Sequence, residues 1–243
     1  MKIFTLAILF FASIFLQAQV FDLAIQNSTE NSTEDSNQNL VDTLNPSSEF
    51  QAREFSESDF KTYSWMNEFT NIIVINKANQ GDDRQTLRLY VNGKLSEITK
   101  ISTGRETFEK GCAPGQDPKT NHCSQHPYWS RTPLGYFDVD TIDENYFSKL
   151  WQTWMPYAVF FEPGIATHQA PAGTEPNLGK RASGGCVRSH PSMAPVIFAA
   201  VKAAGSGLVP VINRDGSLKT TAHGDVIRTQ GFKTFVIVQN IIK

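Results

Sequence analysis

The stretch Thr86-Leu-Arg-Leu-Tyr-Val-Asn-Gly-Lys-Leu-Ser-Glu-Ile-Thr-Lys-Ile-Ser102 reads as a β-hairpin. Apolar and polar residues alternate up to Val91, so one face of an extended chain is apolar. Asn92-Gly93 then supplies two residues that accept positive φ, the signature of a two-residue hairpin turn. Lys94 to Ser102 is the return arm. Outward from this hairpin, Asn71-Ile-Ile-Val-Ile-Asn76 is a short β-branched run. Gly135 to Asp140, Tyr157 to Phe161, Gly164 to His168, Leu208 to Ile212 and Thr234 to Val238 are further predicted strands. Strands separated by turn signals imply a mainly β domain of sandwich or barrel type with one or two helices. The clear helix has Ser192 as cap, Pro195 in its first turn, Val196 to Val201 as its apolar body and Gly205 as its stop. A shorter helix is predicted between Glu144 and Trp154.

The 243 residues suffice for one large domain or two small ones. With 40% hydrophobic and 19% charged residues, the chain is not collagenous, coiled-coil or wholly disordered, and it is no multi-span membrane protein. The net charge of −2 argues against a dedicated nucleic-acid binder. Its start departs from the rest. Lys2, an apolar run from Ile3 to Leu16 and the small Ala18 form the pattern of a secretory signal peptide, residues 1–18. At about 14 residues the run is short for a bilayer span. Residues 19–60 are rich in Asn, Ser, Thr, Asp and Glu and read as a disordered acidic tether. They hold nine acids and one base, and two N-x-[ST] sequons at Asn27 and Asn31 that carry no weight alone. Residues 61–243, the expected folded domain, hold twenty bases and fifteen acids, a mildly basic balance that suits an anionic partner as well as it suits a plain solvated surface.

Chemistry concentrates between His168 and Arg188. Ser183-Gly184-Gly185-Cys186-Val187-Arg188 places a cysteine directly after two glycines. Glycines permit a tight turn whose amides can converge on an oxyanion. A thiolate is the nucleophilic form of cysteine and needs a base or a cation nearby, and a helix start close by would favour it. His168, eighteen residues upstream at a predicted strand end, is the candidate base. Cys112 and Cys123 flank a loop and are close enough in sequence to pair as a disulfide in an oxidising compartment, which leaves Cys186 as the odd thiol. The competing reading, a zinc site of Cys112, His122, Cys123 and His126, fits no usual ligand spacing. His190, four residues after Cys186, reads as a loop or cap residue because Pro191 follows it. His223 would be the base of a cysteine peptidase in which Cys precedes His. Trp151, Trp154 and Tyr157 are either core or the wall of a sugar- or peptide-binding groove.

His168, the eighteen-residue gap and Ser-Gly-Gly-Cys-Val-Arg together resemble the active-site motif of the bacterial cell-wall L,D-transpeptidases. Ile101-Ser-Thr-Gly104, Arg131-Thr-Pro-Leu-Gly-Tyr-Phe137 and the stretch from Met155 through Ile165-Ala-Thr-His168 are similar to other segments of that family, in the same order. The resemblance implies a β-rich catalytic domain and a thioester mechanism without metal or organic cofactor. Cys186 would be the nucleophile and His168 its base. The Gly185 and Cys186 amides would be oxyanion donors, with Ser183, Gly184 and Arg188 at the oxyanion or substrate side. The substrate would be a peptidoglycan stem peptide, cut between its third residue and D-Ala and transferred to an amine as a 3→3 cross-link. The enzyme would be exported to the periplasm or wall, monomeric, and would need no nucleic acid or lasting membrane span. Two departures stand out. Gln169 follows the histidine where the family usually has Gly, and Gly184 stands two before the cysteine where many members have His. The loop from Lys110 to Ser130 exceeds the family minimum and is either a lid held by the Cys112–Cys123 bond or a surface insertion. The alternatives are an L,D-carboxypeptidase or cysteine hydrolase on the same substrate, and a non-catalytic wall-binding domain.

Overall fold

The computed structural model describes residues 52–243 apart from 122 and 125. The expected signal peptide, residues 19–51 of the expected tether and both sequons lie outside the described residues. In chain order the described strands are β1 (Asn71–Asn76), β2 (Thr86–Val91), β3 (Lys94–Ser102), β4 (Phe108–Glu109), β5 (Tyr128–Trp129), β6 (Gly135–Asp138) and β7 (Thr141–Ser148). They continue with β8 (Thr153–Glu162), β9 (Ile165–Gln169), β10 (Val187–Ser189), β11 (Ser206–Pro210), β12 (Arg228–Phe232) and β13 (Thr234–Gln239). The helices are α1 (Asp59–Thr62), α2 (Pro118–Asn121) and α3 (Ala194–Ala204).

Nine strands form one sheet in the order β6-β13-β1-β2-β3-β10-β9-β8-β7. The sheet curls until Phe137 of β6 meets Phe161 of β8, ring centroids 5.4 Å apart. The predicted hairpin is its centre: β2 and β3 are antiparallel, and Asn92 and Gly93 carry the turn at φ 48° and 71°. β1 and β13 run parallel and are buried on both faces, which is why they read as near-continuous apolar runs rather than alternating ones. α3 buries Ala194, Ile197, Phe198 and Val201, an i, i+3, i+4, i+7 stripe. The stripe packs on β8 and β9, with Phe198 against Tyr157 at 5.9 Å. No helix among the described residues is long and apolar enough to cross a membrane.

Three local expectations are corrected. Glu144 to Trp154 is not helical but the β7–β8 hairpin, in which Tyr146 faces Met155 and Phe147 faces Trp154. Large aromatics pair across strands there, and Gln152 turns the chain at φ 48°. Ser192 does not cap α3. Met193 occupies the cap position, and the Ser192 hydroxyl bonds His190 Nδ1 at 2.8 Å. The folded unit also begins before residue 61. Phe55 is buried, its N–H donates to Gln239 Oε1 at 2.7 Å, and its ring packs on Phe60 and Tyr90. A composition dominated by Ser and Glu hid two phenylalanines that the core holds.

Candidate active site

β9 and β10 lie side by side and parallel, with Thr167 opposite Val187 and His168 opposite Arg188. Side chains alternate between faces along a strand. Ile165 and Val187 pack into the main core, whereas Ala166 and Cys186 join a small cluster with Met155 and Ala158. Cys186, one residue before β10, therefore shares the outer face with Ala166, His168 and Arg188. On that face Cys186 and His168 are diagonal neighbours across the β9–β10 pair. The Cys186 thiol donates to Gly164 O at 3.5 Å. The His168 ring bonds elsewhere: Nδ1 donates to Gln169 O at 2.7 Å. A carbonyl only accepts, so the neutral ring carries its proton on Nδ1 and leaves Nε2 as a free lone pair.

The turn before Cys186 is clamped from inside. Ser183 is fully buried, and its hydroxyl donates to Cys186 O at 2.5 Å while accepting from Gly185 N–H at 3.0 Å. Ala182 and Ser183 N–H both donate to Thr103 O, and Arg105 N–H donates to Ser183 O. Thr132 Oγ1 donates to Gly185 O at 2.5 Å and accepts from Gly104 N–H at 2.9 Å. The segments Ile101–Gly104 and Arg131–Phe137 are thus the two walls of the turn. Gly104 has no alternative there, since a Cβ would lie 2.4 Å from Ser130 O. Gly185 stands at φ 137° with a would-be Cβ 2.9 Å from Ile165 Cδ1. Beneath Thr132, the buried Lys77 ammonium donates to Thr132 O at 2.8 Å and to both Glu106 oxygens at 3.1 Å.

Burial dominates the electrostatics. It pushes the His168 pKa down to about 4, the Arg188 cation adds to the drop, and the Gln169 carbonyl opposes it. The ring is therefore neutral at pH 7, as a base must be. Burial also raises the Cys186 thiol, against Arg188 and a backbone bond to Ala166 that favour the thiolate. The resting pair is thiol and imidazole, not thiolate and imidazolium. The sequence suggested a helix start beside the cysteine; α3 begins at Ala194, and strand β10 lies between. Burial lowers Arg188 as well, and its Nε is buried with no hydrogen-bond partner among the described residues, beside the thiol.

Other predicted residues separate into near and far. Ser183, expected on the oxyanion or substrate side, is inside the turn. The Gly185 amide, expected to meet an oxyanion, is bonded to Ser183. Gly184 faces outward, and a Cβ there would lie 3.1 Å from Tyr128 Oη and 3.3 Å from Trp151 Cζ2. Those two rings touch at 5.4 Å, and Arg105 donates to Tyr128 Oη at 3.3 Å. They occupy the space that a histidine at 184 would need. Cys112 and Cys123 are bonded to each other, S–S 2.00 Å, which leaves no thiolates for a zinc site, and Cys186 is free. Trp154 is exposed against Phe147, Tyr157 packs on α3, His190 bonds Ser192, and exposed His223 sits in the turn closed by the Thr220–Val226 bridge, outside the large sheet. Sequence reasoning missed Lys77, Glu106 and Tyr128. A lysine and a glutamate 29 positions apart give no local signal, and Tyr128 is placed only by the pairing of β4 with β5.

Residues 70–226 match the family model of the YkuD L,D-transpeptidase catalytic domain. Among curated proteins no relative matches. Among solved structures, an L,D-transpeptidase of Xylanimonas cellulosilytica is 19% identical with a TM-score of 0.43, covering 70% of this chain and 60% of that one. An L,D-transpeptidase of Mycobacterium tuberculosis is 17% identical with a TM-score of 0.43, covering 71% and 58%. That organism's L,D-transpeptidase 3, solved with a faropenem-derived adduct, is 16% identical with a TM-score of 0.43, covering 71% and 61%. The chain thus spans about 60% of the length of these structures. The family model extends over more than half of the chain, and the chain belongs to the L,D-transpeptidase catalytic-domain family.

Proposed function

We propose that the protein is an exported cysteine L,D-transpeptidase acting on peptidoglycan stem peptides. One observation carries this reading: parallel pairing of β9 and β10 gathers a neutral, tautomer-fixed His168, the free thiol of Cys186 and the cation of Arg188 on one face. The mechanism requires the Cys186 S–H to turn from Gly164 O toward His168 Nε2. Nε2 takes the thiol proton as sulfur attacks the carbonyl between the third stem residue and D-Ala. Arg188 draws a substrate carboxylate to this face by its charge. That anion offsets the cation that depresses His168, so substrate binding makes the base stronger. The tetrahedral oxyanion needs N–H donors. With Gly185 N–H held by Ser183, the Cys186 N–H takes that role. Collapse expels D-Ala, which leaves as an amine protonated from Nε2, and a thioester remains. An acceptor amine then gives its proton to Nε2, forms the amide and releases the thiol. Water in place of the amine gives the carboxypeptidase outcome from the same thioester.

The test is digestion of purified muropeptides with the protein, read by mass for D-Ala loss and dimers, with Cys186→Ala as control. A carbapenem added to the intact protein should leave its mass on Cys186. No added mass and no D-Ala loss would reduce the protein to a non-catalytic wall-binding domain.

A further inference from the structure

Away from the cysteine, an open cleft of about 430 Å³ is lined by Asn79, Arg84, Lys100, Leu178, Gly179, Lys180 and Arg181. Four of these seven carry positive charge and none carries negative. Among the described residues none of the four forms an ion pair. Arg84 donates to Gly81 O, Lys100 to the carbonyls of Asp82 and Arg84, and Arg181 to Lys77 O and Asn240 Oδ1. These neutral acceptors orient the cations without cancelling them, which is the arrangement of a preorganised anion site. Asp82, Asp83, Glu97 and Glu175 are the nearest acids in sequence; Asp83 pairs with Arg88, and none of the four lines the cleft. Its floor is also tied to the catalytic turn. Gly179 N–H donates to Ile101 O, and the chain passes from Arg181 directly into Ala182 and Ser183, both held by Thr103 O.

We propose that this cleft is an exosite for carboxylates of peptidoglycan stem peptides other than the one being cut, holding the polymer while the thiol works on its own stem. The choice of carboxylates rests on the transpeptidase reading above. A cleft of this size holds a peptide fragment rather than a lone ion, and guanidinium groups suit carboxylates. Such a site raises affinity for the polymer without touching the chemistry on a small substrate, because the second contact is intramolecular once the first is made.

The test is cosedimentation of the full chain with purified sacculi stripped of other polymers, from low to moderate salt. Lys180→Gln and the triple variant Arg84→Gln/Lys100→Gln/Lys180→Gln are compared with the wild type. The triple variant should bind sacculi about tenfold more weakly and with a shallower salt dependence. Lys180→Gln, which removes a side chain with no hydrogen bond among the described residues, should show a smaller loss in the same direction with an unchanged melting temperature. Amidating the stem carboxylates should weaken wild-type binding by a similar factor and the triple variant much less, since only the Arg188 contact remains there to lose. Carbapenem acylation of Cys186 should stay within twofold in both variants. The proposal is overturned if the variants bind sacculi like the wild type. It is equally overturned if amidation changes nothing while inorganic phosphate displaces the protein, which would assign the cleft to phosphate. Normal sacculus binding without any acylation of the wild type would sink the transpeptidase reading and leave the exosite standing.

Discussion

The protein holds two cysteine-bearing turns by opposite means. The turn before Cys186 has no covalent staple; Ser183, Thr132 and Thr103 bind its peptide groups with hydrogen bonds from three directions, and the sulfur is left free. The loop after β4 is closed by the Cys112–Cys123 bond across eleven residues, with backbone bonds such as Cys112 N–H to Ser124 O beside it. On the proposed function Cys186 is a nucleophile, which has to be unbonded yet placed to within a fraction of an ångström, so its fixation falls to neighbours. A surface loop needs only to be kept near its place, and one covalent link does that by restricting the unfolded chain.

Loss of a sulfur should therefore mean different things in the two turns. Cys186→Ala removes the attacking atom. D-Ala release should fall by about 10⁴-fold or more, to the level set by binding alone, with the melting temperature nearly unchanged. Equal activity of this variant in a muropeptide assay would end the covalent mechanism.

Next in size is the base. His168→Asn should slow thioester formation by about 10²- to 10⁴-fold, measured as the rate of carbapenem mass gain. With a His168 pKa of about 4, the wild-type rate should show no acid limb near pH 6.5 and should climb toward alkaline pH, as the raised thiol approaches ionisation. Stability has its own signature. The folded pKa lies below the unfolded value of about 6.5, so the unfolded chain binds the proton first. The contribution is complete above pH 6.5 and declines as pH falls toward 4, by on the order of 3 kcal/mol in all. Urea unfolding between pH 4.5 and 7.5 should show that slope in the wild type, and a flatter one in His168→Asn. Equal slopes would place the burial of the imidazole in doubt.

The third prediction concerns the clamp. Thr132→Val keeps the shape and removes the hydroxyl that serves Gly104 N–H and Gly185 O. Two buried groups lose their partner, so stability should fall by about 1–3 kcal/mol. kcat should drop more than KM rises, because the turn that carries Cys186 is loosened while the substrate pocket is kept. Thr132→Ser should restore both. If Val and Ser behave alike, the hydroxyl is not what positions the turn.

The same contrast explains what could be read from the chain beforehand. The β2–β3 hairpin was legible because its turn chemistry and its alternation are both local. α3 was legible from its apolar stripe and Gly205, which ends it at φ 63°. That His168 and Cys186 come together on one face was legible because the motif is short and ordered along the chain. The reasons for the surrounding motif were not: that Thr132 holds the Gly185 carbonyl, or that Lys77 holds Thr132, depends on contacts across 53 and 55 residues. The β7–β8 hairpin was misread because Glu144, Lys149, Leu150 and Gln152 suit a helix locally, and only the cross-strand pairing of the aromatics decides otherwise. Phe55 was missed for a related reason, as its acceptor, Gln239, lies 184 residues away.

The smallest expected effect belongs to the stapled loop. Replacing Cys112 and Cys123 together by Ser releases an eleven-residue closure, for which chain entropy alone gives a loss of about 3 kcal/mol at most. Tyr128, beyond Cys123, packs on Trp151 above Gly184 and is held independently by β5 against β4 and by Arg105. Those contacts survive the double substitution, so carbapenem acylation should change only severalfold while the melting temperature falls. A loop that were instead a lid dependent on its covalent closure would show the reverse, with acylation lost and melting hardly moved. Tyr128→Ala in the disulfide-intact protein completes the comparison. If the aromatic pair fills the place of a side chain at 184, removing the phenol should alter acylation more than breaking the disulfide does, and Gly184→His should be tolerated only in that background. Tolerance of Gly184→His with Tyr128 and Trp151 both present would show that the two rings do not define the wall beside the thiol.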